Sequence, residues 1–379
     1  MKKILIFTSV YEPGIKGGGP IRSIKNIVDR LSNRFEFSIV TQDRDLGDTQ
    51  PFEEIETEKW VSLGKEKVFY TRKSKLTFKK TLKLIKESQC DYIYLNSFFS
   101  FKFSILIVIL QRLKFMDASI VLAPRGEFSP GALNIKKNKK MLYIYLIKIF
   151  SMYRDVYWHA TNELEVEYIK RIIGNTNKIH IASNYIEFSA FSPKVSLKEP
   201  GSLKLLFISR ISRKKNLYGA LKILSKITTR GNIVFNIFGP LEDIEYWKEC
   251  ETVINTFPEN IRVNYCGVLK RESLDDVIKK HDFLFFPTFG ENFGHVIAES
   301  LMSGTPVILS DQTPWRNLQE YNVGWDISLE DLEEFEEVIT ECLNMDQKLY
   351  STMIENSQEF VKSICNPKNL DEKYIELFT

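Results

Sequence analysis

Residues 283–310 read FLFFPTFGENFGHVIAESLMSGTPVILS. The run Phe283 to Phe286 is apolar at every position, as in a parallel strand covered on both faces. A glycine-bearing loop follows, a helix is predicted to begin near Gly294, and Pro306 to Ser310 supplies the next apolar run. Strand, crossover helix and strand within about thirty residues make a βαβ unit.

The same rhythm extends in both directions. The first half offers Lys3 to Val10, Phe35 to Thr41, Asp91 to Ser97, Ser119 to Pro124, Asp155 to Thr161 and a shorter Ile179 to Ser183. The second half restarts with Leu203 to Ser209, Ile233 to Phe238 and Ile261 to Cys266. Alternation of such runs with amphipathic stretches predicts an α/β fold of two doubly wound, Rossmann-like domains. Residues 188–202 lack apolar periodicity and read as the linker. The expected domains are 1–190 and 203–363, with helices from Leu329 onward and a last one, 364–379, packing back on the first domain.

Composition limits the function. The 379 residues are 44% apolar and 27% charged, enough for more than one packed core. Fifty-two Lys and Arg against 49 Asp and Glu leave +3, which argues against a dedicated nucleic-acid binder. Five scattered cysteines without Cys-x-x-Cys spacing point to a reducing cytoplasm and to neither zinc nor redox chemistry. The apolar window Phe103 to Leu110 is about half the length that crosses a bilayer, so no span is expected.

In open α/β sheets, ligands bind beyond the carboxyl ends of strands. After the first strand comes Gly14-Ile15-Lys16-Gly17-Gly18-Gly19-Pro20, without dinucleotide or Walker spacing. Gly18 and Gly19 suit close approach to a phosphate or sugar, although a flexible loop explains them as well. After Leu203 to Ser209, the turn Arg210-Ile211-Ser212-Arg213-Lys214-Lys215-Asn216 places four cations where a diphosphate would sit, or forms a solvated basic turn. In the opening segment Glu299 lies eight residues beyond Glu291, which on a helix is ~12 Å along the axis. One carboxylate would meet a sugar hydroxyl and the other a ribose, or the pair alone marks no more than an exposed helix face. Between them the amides of Phe293 and Gly294, flanked by Asn292 and His295, would face a diphosphate.

In order and placement these segments resemble the retaining family-four glycosyltransferases of the GT-B fold, whose two domains face each other across a cleft that holds the site. More narrowly, Gly18-Gly19-Pro20-Ile21-Arg22-Ser23, Ala123-Pro124-Arg125-Gly126-Glu127 and Ser310-Asp311-Gln312-Thr313-Pro314-Trp315-Arg316 resemble members that build bacterial surface polysaccharides. The resemblance implies a nucleotide-sugar donor held by Gly18, Gly19, Asn292, Phe293, Gly294, His295 and Glu299. Arg210 and Lys215 would neutralise the leaving diphosphate and Glu291 would contact the transferred sugar. It also implies no metal, no cofactor, and a glycan acceptor carried on a lipid. Where many relatives have a histidine, this chain has Arg125-Gly126-Glu127. Arginine stays protonated, so Arg125 would bind phosphate or orient the acceptor, and Glu127 would do acid-base work.

Asp43-Arg44-Asp45 matches the DxD triplet of metal-dependent transferases but has no accompanying acidic or histidine cluster, and reads as structural. His159, His180 and His281 lie in or beside apolar runs and also read as structural. Lys136-Lys137-Asn138-Lys139-Lys140 followed by the apolar residues 141–150 fits either a helix lying on an anionic membrane or a buried helix with a solvated start. With a lipid-linked acceptor, the enzyme would work as a peripheral protein at the inner face of the plasma membrane. Two other functions share such a scaffold: a nucleotide-sugar epimerase, and a catalytically silent nucleotide- or carbohydrate-binding protein.

Overall fold

The computed structural model describes residues 1–186, 194, 197–228, 231–364 and 367–379. Two compact units result: Met1–Tyr185 with Pro367–Thr379, and Ile186–Asn366.

The first unit contains β1 (Lys2–Phe7), β2 (Phe35–Gln42), β3 (Trp60–Leu63), β4 (Glu66–Thr71), β5 (Tyr92–Leu95), β6 (Ser119–Leu122), β7 (Tyr157–Ala160) and β8 (Ile179–Ile181). They form one sheet in the order β3-β4-β2-β1-β5-β6-β7-β8, parallel except for the β3–β4 hairpin. Side chains alternate across a strand, so β1 sends Ile4 and Ile6 into one apolar core and Leu5 and Phe7 into the other. The helix Gly19–Leu31 covers the first face with Ile24, Ile27 and Leu31.

That same core takes Leu370, Tyr374, Leu377 and Phe378 from the far end of the chain. Tyr374 stacks on Tyr185 at 4.7 Å between ring centroids, and Asp371 accepts from Arg30 Nε at 2.9 Å and from Tyr185 Oη at 2.9 Å. These contacts fix the helix Pro367–Glu376 in the first unit.

The second unit contains β9 (Ser202–Ile208), β10 (Asn232–Phe238), β11 (Ile261–Tyr265), β12 (Phe283–Phe286), β13 (Val307–Ser310) and β14 (Gly324–Ile327). Their order is β11-β10-β9-β12-β13-β14, all parallel. All four residues of β12 are buried, as its composition requires. Helices Leu332–Asn344 and Gln347–Ile364 follow the last strand.

β3, β4 and β14 were not among the expected strands. β4 opens Glu66-Lys67, charges that mask its apolar run, and β3 lies at the sheet edge, where pairing does not demand a continuous apolar sequence. The buried Glu66 carboxylate is stabilised by the Tyr11 hydroxyl at 2.5 Å and by Lys25 Nζ at 3.5 Å. Among the described residues no helix is long and apolar enough to cross a membrane.

Candidate active site

In the second sheet the strand order reverses at β9, which lies between β10 and β12. The carboxyl ends of β9 and β12 are therefore the topological switch point, where doubly wound sheets present ligand-binding loops. The turn after β9 carries Arg210 to Lys215, and the loop after β12 carries Glu291 to Gly294.

Main-chain and side-chain bonds lock these two loops together. The Lys214 carbonyl accepts from Phe289 N at 3.0 Å and from Thr288 Oγ1 at 3.1 Å. Asn216, in the left-handed region at φ 56°, accepts from Gly219 N to cap the next helix and donates Nδ2 to the Pro287 carbonyl at 2.8 Å. Lys215 Nζ and Glu291 Oε1 form a hydrogen-bonded ion pair, and the same ammonium lies 5.6 Å from the Phe286 ring centroid. Two residues expected to serve one donor are thus in direct contact.

Arg210 and Arg213 are also engaged. Arg210 Nη1 donates to Glu242 Oε1 at 2.5 Å, while Arg213 bonds both oxygens of Glu249 and lies over Tyr246. Gly239 makes the Arg210 turn feasible. Its φ is 141°, and a Cβ there would fall 1.8 Å from the Ser209 carbonyl oxygen.

Gly294, at φ 77°, starts the helix His295–Met302. A Cβ at Gly294 would stand 2.6 Å from Ile297 Cδ1. Among the described residues, the amides of Phe293 and Gly294 donate to no backbone carbonyl, and they precede the positive end of that helix. The Phe293 carbonyl accepts from Trp315 Nε1 at 2.5 Å, and the Phe293 ring packs between Trp315 and His295 at centroid distances of 5.7 and 4.9 Å. Arg316 continues this support through Asp326 Oδ2 at 3.1 Å. Asn292 is half-buried in the same loop.

The expected helical spacing of Glu291 and Glu299 does not hold, because Glu291 precedes Gly294 in the loop and only Glu299 is helical. Glu299 is buried, with Arg271 Nη1 at 3.7 Å from its Oε1.

The first sheet has its own reversal at β1, between β2 and β5. The glycine loop after β1 is clamped by Asp45, whose Oδ2 accepts from Ile15 N at 2.7 Å and Lys16 N at 3.0 Å. Asp43 receives Arg44 Nε at 2.8 Å. The Asp43-Arg44-Asp45 triplet thus serves loop structure. Around Gly18 a Cβ would meet no atom within 4 Å, and Gly19 opens the following helix.

Arg125, at φ 54°, donates Nε to Asn96 Oδ1, Nη1 to Asn184 Oδ1 and Nη2 to Tyr94 Oη, each at 2.7 Å. The Tyr94 hydroxyl continues to His159 Nδ1 at 2.7 Å, and His159 Nε2 reaches the Ala182 carbonyl at 2.7 Å. A carbonyl only accepts, so His159 carries its proton on Nε2, and Tyr94 donates to Nδ1. Burial, and after it the Arg125 charge, push His159 down to about 3. Glu127 accepts from Ser97 Oγ at 2.9 Å, Phe98 N at 2.6 Å and Phe99 N at 3.0 Å. Burial raises its carboxyl above the usual range, against the lowering effect of those donors. Both side chains are tied into the protein, which composition and spacing did not indicate.

Residues 189–360 match the family model described as glycosyl transferases group 1. This match lies within the second unit and covers less than half of the chain. Sucrose-phosphate synthase from Thermosynechococcus elongatus resembles this chain with a TM-score of 0.74 at 15% identity, covering 100% of this chain and 98% of the other. Anabaena HepE, in complex with UDP and glucose, gives 0.73 at 15% identity over 99% of both chains. The chain has the GT-B fold. A Klebsiella pneumoniae protein described as an uncharacterized 41.2 kDa protein in a cps region is 24% identical over 238 residues, 61% of this chain and 63% of the other.

Proposed function

We propose that this protein is a glycosyltransferase that moves a hexose-type sugar from a nucleoside diphosphate donor to a lipid-linked glycan, with retention at the anomeric carbon and without a metal or other cofactor. The contact of Lys215 with Glu291 at the switch point carries this reading. It sets a cation for phosphate beside a carboxylate for sugar hydroxyls. HepE was captured with UDP and glucose, which supports a donor of that chemical class. The relative from a cps region supports work on a surface polysaccharide. With a lipid-linked acceptor, the enzyme works as a peripheral protein at the inner face of the plasma membrane.

In the proposed reaction the bond from the anomeric carbon to the diphosphate oxygen breaks, and its electron pair leaves with the diphosphate. The acceptor oxygen forms its new bond on the same face, and its proton passes to the departing phosphate oxygen. Arg210 and Lys215 stabilise the developing negative charge. The Phe293 and Gly294 amides do the same from the helix start. Asn292 and His295 border the diphosphate, Glu291 holds a sugar hydroxyl and Glu299 the ribose. Gly18 and Gly19 leave the first unit's loop open to close approach by a sugar or phosphate, and that unit takes the acceptor. Arg125 and Glu127 hold the segments after β5 and β6 in the shape the acceptor needs.

The test is a thermal-shift panel of uridine, guanosine, adenosine and thymidine diphosphates and their sugars, with and without chelator. One base giving a chelator-insensitive shift, followed by nucleotide release only when a glycan acceptor is added, is the expected result. Sugar conversion without acceptor would replace transfer by epimerisation, and no shift with any ligand would overturn the donor site.

A further inference from the structure

We infer that the helix Lys137–Ile149 is a membrane-docking element that seats on an anionic phospholipid surface. Its inner face is accounted for, since Ile144 and Ile147 are buried in the first unit's core. The opposite face is apolar too. Leu142, Tyr145, Leu146 and Ile149, spaced i, i+3, i+4 and i+7, are 60%, 63%, 41% and 56% exposed. Ile135, Met141 and Phe150 extend the patch at 55%, 46% and 63%. A contiguous apolar helix face of this kind marks an interaction surface, whereas isolated exposed apolar residues do not.

Charge identifies what covers it. From Phe128 to Arg154 the chain has no Asp or Glu, but has Lys136, Lys137, Lys139, Lys140, Lys148 and Arg154. Lys140 is used internally, donating to the Ala132 carbonyl at 2.7 Å. Among the described ion pairs none involves Lys136, Lys137, Lys139 or Lys148, and all four are exposed. Cations thus stand at both ends of the apolar face, the arrangement that lets a helix lie in the interface of an anionic bilayer. At the last turn, a hollow of about 320 Å³ is lined by Lys148, Ser151, Arg154, Trp158, Asn175 and Thr176. Its cations and hydroxyls suit a lipid phosphate seated beside the inserted side chains.

This deepens the peripheral location proposed above, but it rests on the helix and the hollow at its end and not on the catalytic residues. The experiment is flotation of the full chain with vesicles, without donor or acceptor, so a failed transfer reading leaves the result untouched. Vesicles of phosphatidylcholine alone are compared with vesicles containing roughly one-third phosphatidylglycerol. The wild type is expected to float with the anionic vesicles only. Leu142→Asp with Ile149→Asp, both on the exposed face and compatible with folding, abolishes flotation. Reversal of Lys136, Lys137 and Lys139 to Glu weakens it by at least about fivefold per residue. Lys148→Ala with Arg154→Ala weakens it similarly. Flotation unchanged in the aspartate variant, or absent in the wild type, overturns the inference. A wild-type dimer that the aspartate variant converts to monomer, without vesicle binding, assigns the face to a second copy instead.

Discussion

Lys215 Nζ and Glu291 Oε1, 76 residues apart in the chain, meet in an ion pair whose side chains are only 12% and 15% exposed. Each partner depends on the other, because removing one leaves a largely desolvated charge without compensation. Glu291→Ala is therefore expected to destabilise the second unit by about 1–3 kcal/mol, and Lys215→Ala by a similar amount. The double variant should regain part of that loss in a thermal unfolding assay. It should regain no transfer, since loss of a group that stabilises developing charge costs ~10²–10³ in rate. Recovery of transfer in the double variant would mean that the pair serves structure alone.

Arg210 behaves differently. Its bond to Glu242 is half-exposed, with side chains 37% and 40% accessible, so the pair adds at most about 1 kcal/mol to stability. Arg210→Ala should unfold close to the wild-type temperature yet lose ~10²–10³ in transfer rate. Glu242→Gln frees the guanidinium for phosphate, and titration calorimetry should show several-fold tighter binding of the nucleoside diphosphate. Weaker binding in Glu242→Gln would show that Glu242 positions Arg210 for its ligand.

Glu127 joins the segment after β6 to the amides of Phe98 and Phe99 after β5. Glu127→Gln retains one acceptor oxygen and loses one. Expected outcomes are a lower unfolding temperature and transfer within about tenfold of wild type, with an unchanged pH profile. A pH-rate limb that disappears in this variant would instead give the raised carboxyl a direct part in proton transfer.

His159 should make the first unit acid-sensitive. Its folded pKa is lowered from 6.5 to about 3, so between these values the unfolded chain binds more protons than the folded one. Stability from this group is therefore present above pH 6.5 and lost as pH falls toward about 3. Urea denaturation across that window should show a shallower acid decline in His159→Gln than in wild type. At neutral pH the variant should be less stable, through weakened bonds to Tyr94 and Ala182. Parallel declines would exclude His159 as the source.

Much of the architecture is legible because strand cores such as Phe283 to Phe286 are unbroken apolar runs, and because the loops after them hold unusual residues in short order. The pairing of Lys215 with Glu291 could be anticipated as two residues serving one ligand, since both follow neighbouring strands of a switch point. Partners such as Glu242 for Arg210, or Asp45 for the glycine loop, could not. They are ordinary surface residue types, and only the three-dimensional path brings them to the site. Asn216 is an intermediate case. An Asn directly before an apolar helix is a capping signal, but its second bond to Pro287, which ties two loops together, depends on tertiary contact.

The helix Pro367–Glu376 places its apolar side in a core founded on Ile4 and Ile6. A ribosome delivers those strand residues early, then must synthesise the whole of Ile186–Asn366 before the pieces that close the core emerge. The earlier unit therefore waits, with one side of its sheet incompletely covered, while the inserted unit has all of its own segments available first. The half whose synthesis begins first is thus the half that is finished last.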